Sequence, residues 1–423
     1  MKASPSLLSK TELFLSYRHK VLALALLSFL FSISLFSEYR QFKKLTEFDD
    51  YITTVWVEKQ YRKKDYWVLK HQSIEGFSFY TSSKENLKEL EGNYLRVRLF
   101  TDKIDLFSYL KGFYVPTQML SHLQGKVQRY VLMNKLKKLH TPLSAPVYNA
   151  LFFAGSIPSS LRHQLSALGI NHLLAISGFH LGVLSFLLFF ILRLVYKPLQ
   201  GRFFPYRNAN RDIALFVLTV LFGYLYFLDF VPSLLRAFAM SVFAYFLYDR
   251  GMKIVSFSSL FLVVCFLIAL WPKLLFALGF WFSVAGVFYI FLFLHHMKGL
   301  KAWQSFIFLH FWVYITMLPV VHYFYGSFSF YQLYSPLLSM LFILFYPLTL
   351  LLHLFSAGFV LDPILDYILG LSINVVDLFT NFWLLILYLI LSLLSIVHRR
   401  FFYLLGLFGF LFLAYFFYSV TEL

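Results

Sequence analysis

From position 172 onward the chain is a succession of apolar runs separated by short polar breaks. A bilayer-spanning helix takes roughly 20 apolar residues. The pattern predicts spans at 172–196, 212–229, 234–249, 255–271, 274–296, 302–321, 333–354, 381–397 and 401–420. A further apolar run, Val21–Phe36, follows a short polar leader, Met1–Lys20, that ends in Arg18-His19-Lys20. No small-residue cleavage site stands out after it. It therefore reads as an uncleaved first span with a cytoplasmic N-terminus rather than as a signal peptide.

Residues 45–115 follow a different period. Tyr51-Ile52-Thr53-Thr54-Val55-Trp56-Val57 is β-branched and aromatic, and Asp65–Lys70 and Gly76–Tyr80 read as further short strands. Gly92-Asn93 offers a turn, and Tyr94–Leu99 alternates in period two. Several short strands in about 60 residues suggest a small OB-like barrel. Downstream, Leu120, Leu123, Val127, Tyr130, Val131, Met133, Leu136 and Leu139 recur at helical spacing among Lys and Arg, which predicts an amphipathic helix at the membrane interface. Residues 362–380 read as a second interfacial helix, because Asp362, Asp366, Asn374, Asp377 and Asn381 interrupt the apolar pattern.

The expected fold is a polytopic α-helical membrane protein of about nine or ten spans with a small external OB-like β-barrel as its N-terminal module. The expected divisions are a cytoplasmic leader and first transmembrane helix (1–44), the OB-like module outside the cytoplasmic membrane (45–115), amphipathic interfacial helices (116–170) and a helical membrane domain (171–423).

Composition agrees with that reading. Of the 423 residues, 60% are hydrophobic and 13% charged, more apolar surface than a soluble fold of this size uses. The formal net charge of +17 has two sources. One is the basic region 41–140, which suits anionic lipid or nucleic acid but also suits a solvated lysine-rich surface. The other is topogenic: Arg193, Lys197, Arg202, Arg207 and Arg211 put the loop 193–211 in the cytoplasm. Asp249-Arg250 with Lys253, and His295-His296 with Lys298 and Lys301, fall on the same side if the helices alternate. The lone Cys265 makes no disulfide within the chain and no metal site, and reads as a small core residue. There is no GxxxxGK[ST] and no zinc pattern, so neither a P-loop nor a metal or other cofactor is called for.

Four constellations stand out. In Asn171–Gly182, His172, Ser177, Gly178, His180 and Gly182 gather at the head of an apolar helix. Polar groups there are costly in hydrocarbon unless they face protein or water. The glycines, four apart, let another backbone come close. No carboxylate accompanies the two histidines and no acid partner or oxyanion loop accompanies Ser177, so packing and interhelical hydrogen bonds are the default over catalysis. In Asp229–Met240, Pro232 and Ser233 open a helix that carries Arg236 one turn in. A mid-membrane charge costs about 2.5–3.5 kcal/mol on insertion scales. Arg236 therefore needs Asp229 as a structural partner or an anionic substrate. The third constellation is Pro272 with Gly279-Phe280-Trp281-Phe282-Ser283, and the fourth is Pro319 with Tyr323-Phe324-Tyr325-Gly326, then Pro336 and Pro347. Pro and Gly in such places suggest broken helices that line a cavity.

Together, and in this order, these segments resemble the ComEC-type competence DNA channel family. Gly155 through Gly182, with Leu168–His180, matches its most characteristic segment, Pro232-Ser233-Leu234-Leu235-Arg236-Ala237 with Met240 resembles its Ser–Arg–Ala helix, and Asp249-Arg250, Trp271-Pro272, Gly279–Ser283 and Pro319 with Tyr323–Gly326 and Pro336 resemble its later blocks. Phe107–Phe113 resembles the end of its OB-like module, so the resemblance covers about residues 45–350. It implies a non-enzymatic, multi-pass channel of the cell inner membrane that passes single-stranded DNA during natural transformation. The implied path residues are His172, Ser177, Gly178, His180, Gly182, Ser233, Arg236, Gly279, Ser283, Tyr323 and Gly326. The implied partners are single-stranded DNA, membrane lipids, DNA-binding competence proteins and an external motor or helicase, and a homo-oligomer is compatible. Three departures are visible. The OB-like module is short and lacks a cysteine pair. The sequence has neither length nor motif for the metallo-β-lactamase-like domain of many members, which implies a short form without nuclease activity. Trp281 stands where the family often has Gln. The competing reading is a transporter of small molecules or lipid-linked substrates, which would rarely need the external β module.

Overall fold

The computed structural model describes residues 17–63, 65–251 and 255–421. Most of the polar leader and Lys253 lie outside the described residues. The chain divides into two compact units. One comprises Met1–Ser159, Tyr224–Val231 and Phe261–Leu278, and the other Ser160–Gly223, Pro232–Leu260 and Gly279–Leu423.

The first unit opens with α1 (Tyr17–Leu45), whose apolar length is exposed at Leu22, Phe29 and Phe36, as in a helix surrounded by lipid. The β-rich stretch then forms β1 (Asp50–Lys63), β2 (Tyr66–Ser73), β3 (Ser78–Ser83) and β4 (Asn93–Phe100). After them come α2 (Leu106–Lys111), β5 (Phe113–Tyr114) and β6 (Thr117–Lys126). The strand order is β5-β3-β2-β1-β4-β6, antiparallel throughout except for the parallel β3–β5 pair. Period-two alternation turns Val55, Val57, Leu69, Phe79, Leu95, Val97 and Leu99 into one core, which Tyr109 of α2 and Phe113 complete. Asp105 caps α2 by accepting from the Phe107 and Ser108 amides.

Two expectations are corrected here. The expected closed barrel is a mixed open sheet, with β5 and β6 as its two ends. Proline lacks an N–H, and Pro116 interrupts the last strand and leaves β5 only two residues to pair with β3. The helix expected over 117–140 is a strand over its first ten residues, with only α3 (Gln128–Lys137) helical. Apolar spacing there suited a helix, but pairing with β4 (Arg96 opposite Ser121, Val97 opposite Met119) claims the backbone instead.

A chain of polar contacts ties α3 to the sheet and to the end of α8 (Ala209–Phe227). Tyr130 Oη donates to the Glu58 carbonyl (2.6 Å), at a bulge in β1 where Glu58 also pairs with Lys70 (2.6 Å). The Tyr130 ring lies over Gly92, where a Cβ would stand 2.3 Å from Cγ, so only glycine fits. Arg129 donates to the Leu228 carbonyl (3.0 Å) and lies 3.6 Å from Asp229, a cation at a helix C-terminus. α4 (Ala145–Phe153) packs on α3, and Tyr224 Oη donates to the Phe152 carbonyl (2.7 Å). At the far end of α1, Glu38 pairs with Lys273 (2.7 Å), which follows α10 (Phe257–Leu270).

The second unit is helical. Its elements are α5 (Ser159–Ala167, from Ser160), α6 (Asn171–Leu174), α7 (Gly178–Phe203), the first part of α8, and α9 (Pro232–Asp249). These are followed by α11 (Leu278–His296), α12 (Ala302–Phe324), β7 (Ser327–Phe328) and α13 (Ser335–Leu354). The last are α14 (Asp362–Leu369), β8 (Val376–Asp377), α15 (Phe382–Leu394) and α16 (Arg399–Thr421). α12, α15 and α16 pack together: Tyr388 Oη donates to the Thr316 carbonyl (2.7 Å), and Trp312 stacks on Phe402 (4.2 Å).

Seven helices among the described residues are long and apolar enough to span, and the protein is a polytopic helical membrane protein. That is fewer than expected. The span expected at 234–249 is α9, whose 18 residues include Arg236 and Asp249 and are not apolar enough to count. α10 and α15 have 14 and 13 residues, about 20 Å at 1.5 Å per residue against a core of about 30 Å. Trp271-Pro272 stops α10, and Asn381 starts α15 by accepting from the Trp383 amide. The expected interfacial helix over 362–380 contracts to α14, and β8 pairs instead with β7.

The His71 ring stacks on Phe79 (5.1 Å) inside the β core, 4% exposed, and neither ring nitrogen has a partner among the described residues. Burial pushes its pKa down from 6.5 to about 4. The unfolded chain therefore takes up a proton that the folded module refuses. Stability is full above about pH 6.5 and falls as pH drops toward 4, by on the order of 3 kcal/mol at most. Amide exchange of β2 in the full-length protein should accelerate over that window, and His71→Phe should flatten the dependence. Equal pH dependence in the variant refutes it.

Candidate functional site

The 168–177 segment is a helix break whose backbone is satisfied by distant side chains. α5 ends at Gly169 (φ +69°), and the Ile170 amide returns to the Leu165 carbonyl. The last carbonyls of a helix have no intrahelical donor. Here Gln332 Nε2 donates to Ser166 O (3.0 Å), Ser329 Oγ to Ala167 O (2.6 Å) and Ser335 Oγ to Gly169 O (2.9 Å). All three donors are buried, and Gln332 donates its second proton to Ser327 O (2.7 Å). A Cβ on Gly169 would meet the Ser335 Cβ at 3.0 Å. These donors escaped the sequence reading. The available signal was a polar cluster, Ser329, Gln332 and Ser335, between two apolar helices, because a buried polar group is the informative exception.

α7 starts from this break. Ser177 donates its backbone N–H to His180 Nδ1 (3.1 Å), and its Oγ lies 3.0 Å from the same nitrogen. Accepting the amide puts the proton of the neutral ring on Nε2. Nε2 is buried, and the ring stands edge-on to Tyr346 (4.5 Å) and Phe342 (5.4 Å). Ser177 and His180 therefore form a helix cap, with no acid to complete a nucleophilic set. His172 lies on α6, exposed, with Nε2 3.5 Å from Ser339 Oγ. Gly178 and Gly182 do not serve close backbone approach as expected. A Cβ on either would meet nothing within 4 Å, and both lie on an exposed face of α7.

Arg236 lies in α9, which packs on α7. It is 7% exposed, its Nε is buried without a partner, and it makes no ion pair or hydrogen bond with a described residue. The guanidinium stands over the Phe280 ring (5.8 Å), a cation–π contact worth about 0.5–2 kcal/mol. Gly279 lies beside the guanidinium, where a Cβ would make only an ordinary contact, 3.9–4.0 Å from its terminal nitrogens. The expected Asp229 pair is not made. Asp229 belongs to Arg129, and burial raises its pKa above the usual carboxylate value while Arg129 pulls it back. Ser233 and Ser283 are half-buried.

Tyr323 and Gly326 are brought into a different place. Tyr323 packs against Phe324 and Phe382 (4.9 and 6.3 Å). Gly326 is buried where a Cβ would stand 2.6 Å from the Phe379 ring, and its carbonyl accepts from the Leu378 amide (2.7 Å). Both serve the join between α12 and the β8 segment. So do His322, with Nδ1 3.2 Å from Leu378 O, and Thr380, which donates to Pro319 O (3.0 Å).

The module's rings also separate by role. Phe77 is buried in the core with Phe79 and Phe113, and Tyr51 donates to Glu75 (2.7 Å). Trp67 lies under Arg62. Trp56 and Tyr94 meet edge-on (6.1 Å) on the outward face of the β1–β4 pair, with exposed Arg96 two residues along β4.

Among the described residues no group of three or more His, Cys, Asp or Glu is placed to hold a metal. No curated protein and no solved structure matches the chain. The model of the competence protein family matches residues 153–422, well over half of the chain, including the α5–α7 break, Arg236 and the Gly326 join. The chain therefore belongs to the competence protein family, as a multi-pass membrane protein with a role in competence and DNA uptake.

Proposed function

We propose that the chain conducts single-stranded DNA across the cytoplasmic membrane during natural transformation, as a channel rather than an enzyme. The observation that carries this reading is Arg236, a buried cation without an anionic partner among the described residues, in a chain of the competence family. The phosphate backbone of a DNA strand supplies the missing anion. His172, Ser177, Gly178, His180, Gly182, Ser233, Gly279 and Ser283 are proposed to line the path. Tyr323 and Gly326 are proposed to shape it by holding the α12 end in place. Movement is driven from outside by a motor, a helicase or DNA-binding partners, because the chain offers no recognisable P-loop.

The N-terminal module is proposed to act as an OB-like single-strand binder outside that membrane. Its strand connections support this: β1 lies between β2 and β4, and β3 pairs in parallel with β5. Residues 113–126 bond to β3 at their start and to β4 beyond Pro116. Trp56, Tyr94 and Arg96 offer stacking and charge on one outward face.

Arg236→Ala tests the channel reading against a structural one. An unpaired buried charge costs stability, so the variant should keep its membrane abundance and melt no lower than the parent. DNA import should nevertheless fall by about tenfold or more, the factor for roughly 1.4 kcal/mol. Normal import by the stable variant defeats the proposal.

For the module, oligonucleotide titration of the full-length protein should show binding that weakens steeply with salt. Trp56→Ala and Tyr94→Ala should each weaken it by about fivefold to a hundredfold, corresponding to roughly 1–3 kcal/mol per stacked base. Absence of binding at low salt counts against the OB-like role.

A further inference from the structure

α7 leaves one face uncovered. Phe186, Phe190 and Leu194 recur every fourth residue and are all exposed. The same face ends in Arg193 and Lys197, and a surface recess of about 570 Å³ is lined by Phe190, Arg193, Leu194, Lys197 and Pro198. With 26 residues, α7 is about 39 Å long, more than the hydrocarbon core of roughly 30 Å. Arg193 and Lys197 stand roughly 22 and 29 Å from its start at 1.5 Å per residue. Their long side chains carry the charges several ångströms further, toward headgroup level.

The acids of the adjoining segments are already engaged. Asp212 accepts from Arg207 (2.8 and 2.9 Å) and from Tyr196 Oη (2.8 Å). Asp249 lies 3.8 Å from Arg211. Arg193 and Lys197 pair with no described residue. Two cations one turn apart, below them an open apolar stripe, form the complement of an amphiphile with an anionic head.

We propose that this face of α7 is a binding site for an anionic phospholipid, its phosphate held by Arg193 and Lys197 and an acyl chain lying along Phe190 and Phe186. The apolar wall selects lipid over nucleic acid, since a strand laid there would bring phosphates against Phe190 and Leu194. A basic residue near an anionic membrane surface contributes roughly fivefold in affinity. The pair is therefore expected to favour the anionic lipid by about thirtyfold. The site does not depend on the channel reading, and its failure would leave that reading intact.

The test is native mass spectrometry of the detergent-purified full-length protein titrated with phosphatidylglycerol or phosphatidylcholine. Retention of phosphatidylglycerol over phosphatidylcholine is expected. Arg193→Gln and Lys197→Gln should each cost about fivefold and together abolish the preference. Lys197→Arg should preserve it, as should Arg202→Gln, which removes an exposed cation stacked on Phe203 (5.6 Å) on the same helix. Equal retention of the two lipids overturns the proposal, and so does an undiminished preference in the double variant. Displacement of the lipid by inorganic phosphate alone would reassign the site to a free anion, and displacement by a single-stranded oligonucleotide to DNA. Either result overturns the lipid site.

Discussion

The need to satisfy backbone polar groups where no water reaches them governs the second unit. A helix that breaks inside a packed interior frees carbonyls that cost several kcal/mol each if left bare. Three side chains from the 329–335 segment, Ser329, Gln332 and Ser335, reach across to the carbonyls of Ser166, Ala167 and Gly169. Because those bonds hold, α5 can end at Gly169, and α7 can begin afresh at Ser177 with His180 closing its first turn. The same solution recurs at the end of α12. Leu378, His322 and Thr380 there occupy the groups freed around Pro319 and Gly326. Both breaks are thereby fixed by side chains more than fifty residues away in sequence, which makes them parts of one packed arrangement rather than loose connections.

The two buried arginines show what a cation requires inside this protein. Arg129 caps the carbonyl of Leu228, faces Asp229 and touches Tyr130 Oη, so its charge is used locally. The turn it holds keeps Asp229 and Phe230 at positive φ (+55° and +53°), a conformation uncommon for residues other than glycine. Arg236 has the Phe280 ring over which it stands, and no acid among the described residues. Removing a partner from a buried pair is costly, whereas an arginine that never had one is a standing cost. In the proposed channel, the phosphate of a passing strand would offset that cost.

Much of the architecture was legible in sequence because it rests on periodicity. The strands around Tyr51–Val57 and Tyr94–Leu99 alternate in period two, and the pattern survives as the burial of Val55, Val57, Leu95, Val97 and Leu99. Local patterns failed where a remote partner decided the outcome. Leu120 and Leu123 sit at helical spacing, but β4 was waiting with unpaired backbone groups, and the segment became a strand. The closed barrel depended on a ladder that Pro116 interrupts, a feature visible in the sequence whose consequence appears only when β3 and β4 are in place. Among site residues, Arg236 was legible as a charge in an apolar run. Its missing partner was not, because Asp229 is close in sequence and yet claimed by Arg129. Gly178 and Gly182 were read as packing contacts, and they border open space instead.

Charge distribution then bears on what a translocation path can be. The chain carries a formal net charge of +17, yet in the second unit Arg236 is the one buried Lys or Arg among the described residues. The other cations gather toward helix ends or on exposed surfaces, as at Arg207, Arg211, Arg399 and Arg400. A passage lined with many buried cations would hold a polyanion tightly, and a strand held tightly at many points cannot advance. In the proposed channel, one desolvated arginine beside an aromatic ring would give a single point of attraction in low dielectric, favouring entry of phosphate without arresting the strand. The positive potential on the exposed basic surfaces raises the local concentration of the polyanion instead, in proportion to charge and in inverse relation to salt. On the proposed channel reading, capture and passage therefore draw on different residues: a substitution at Arg236 would bear on movement, and substitutions on exposed basic surfaces on encounter.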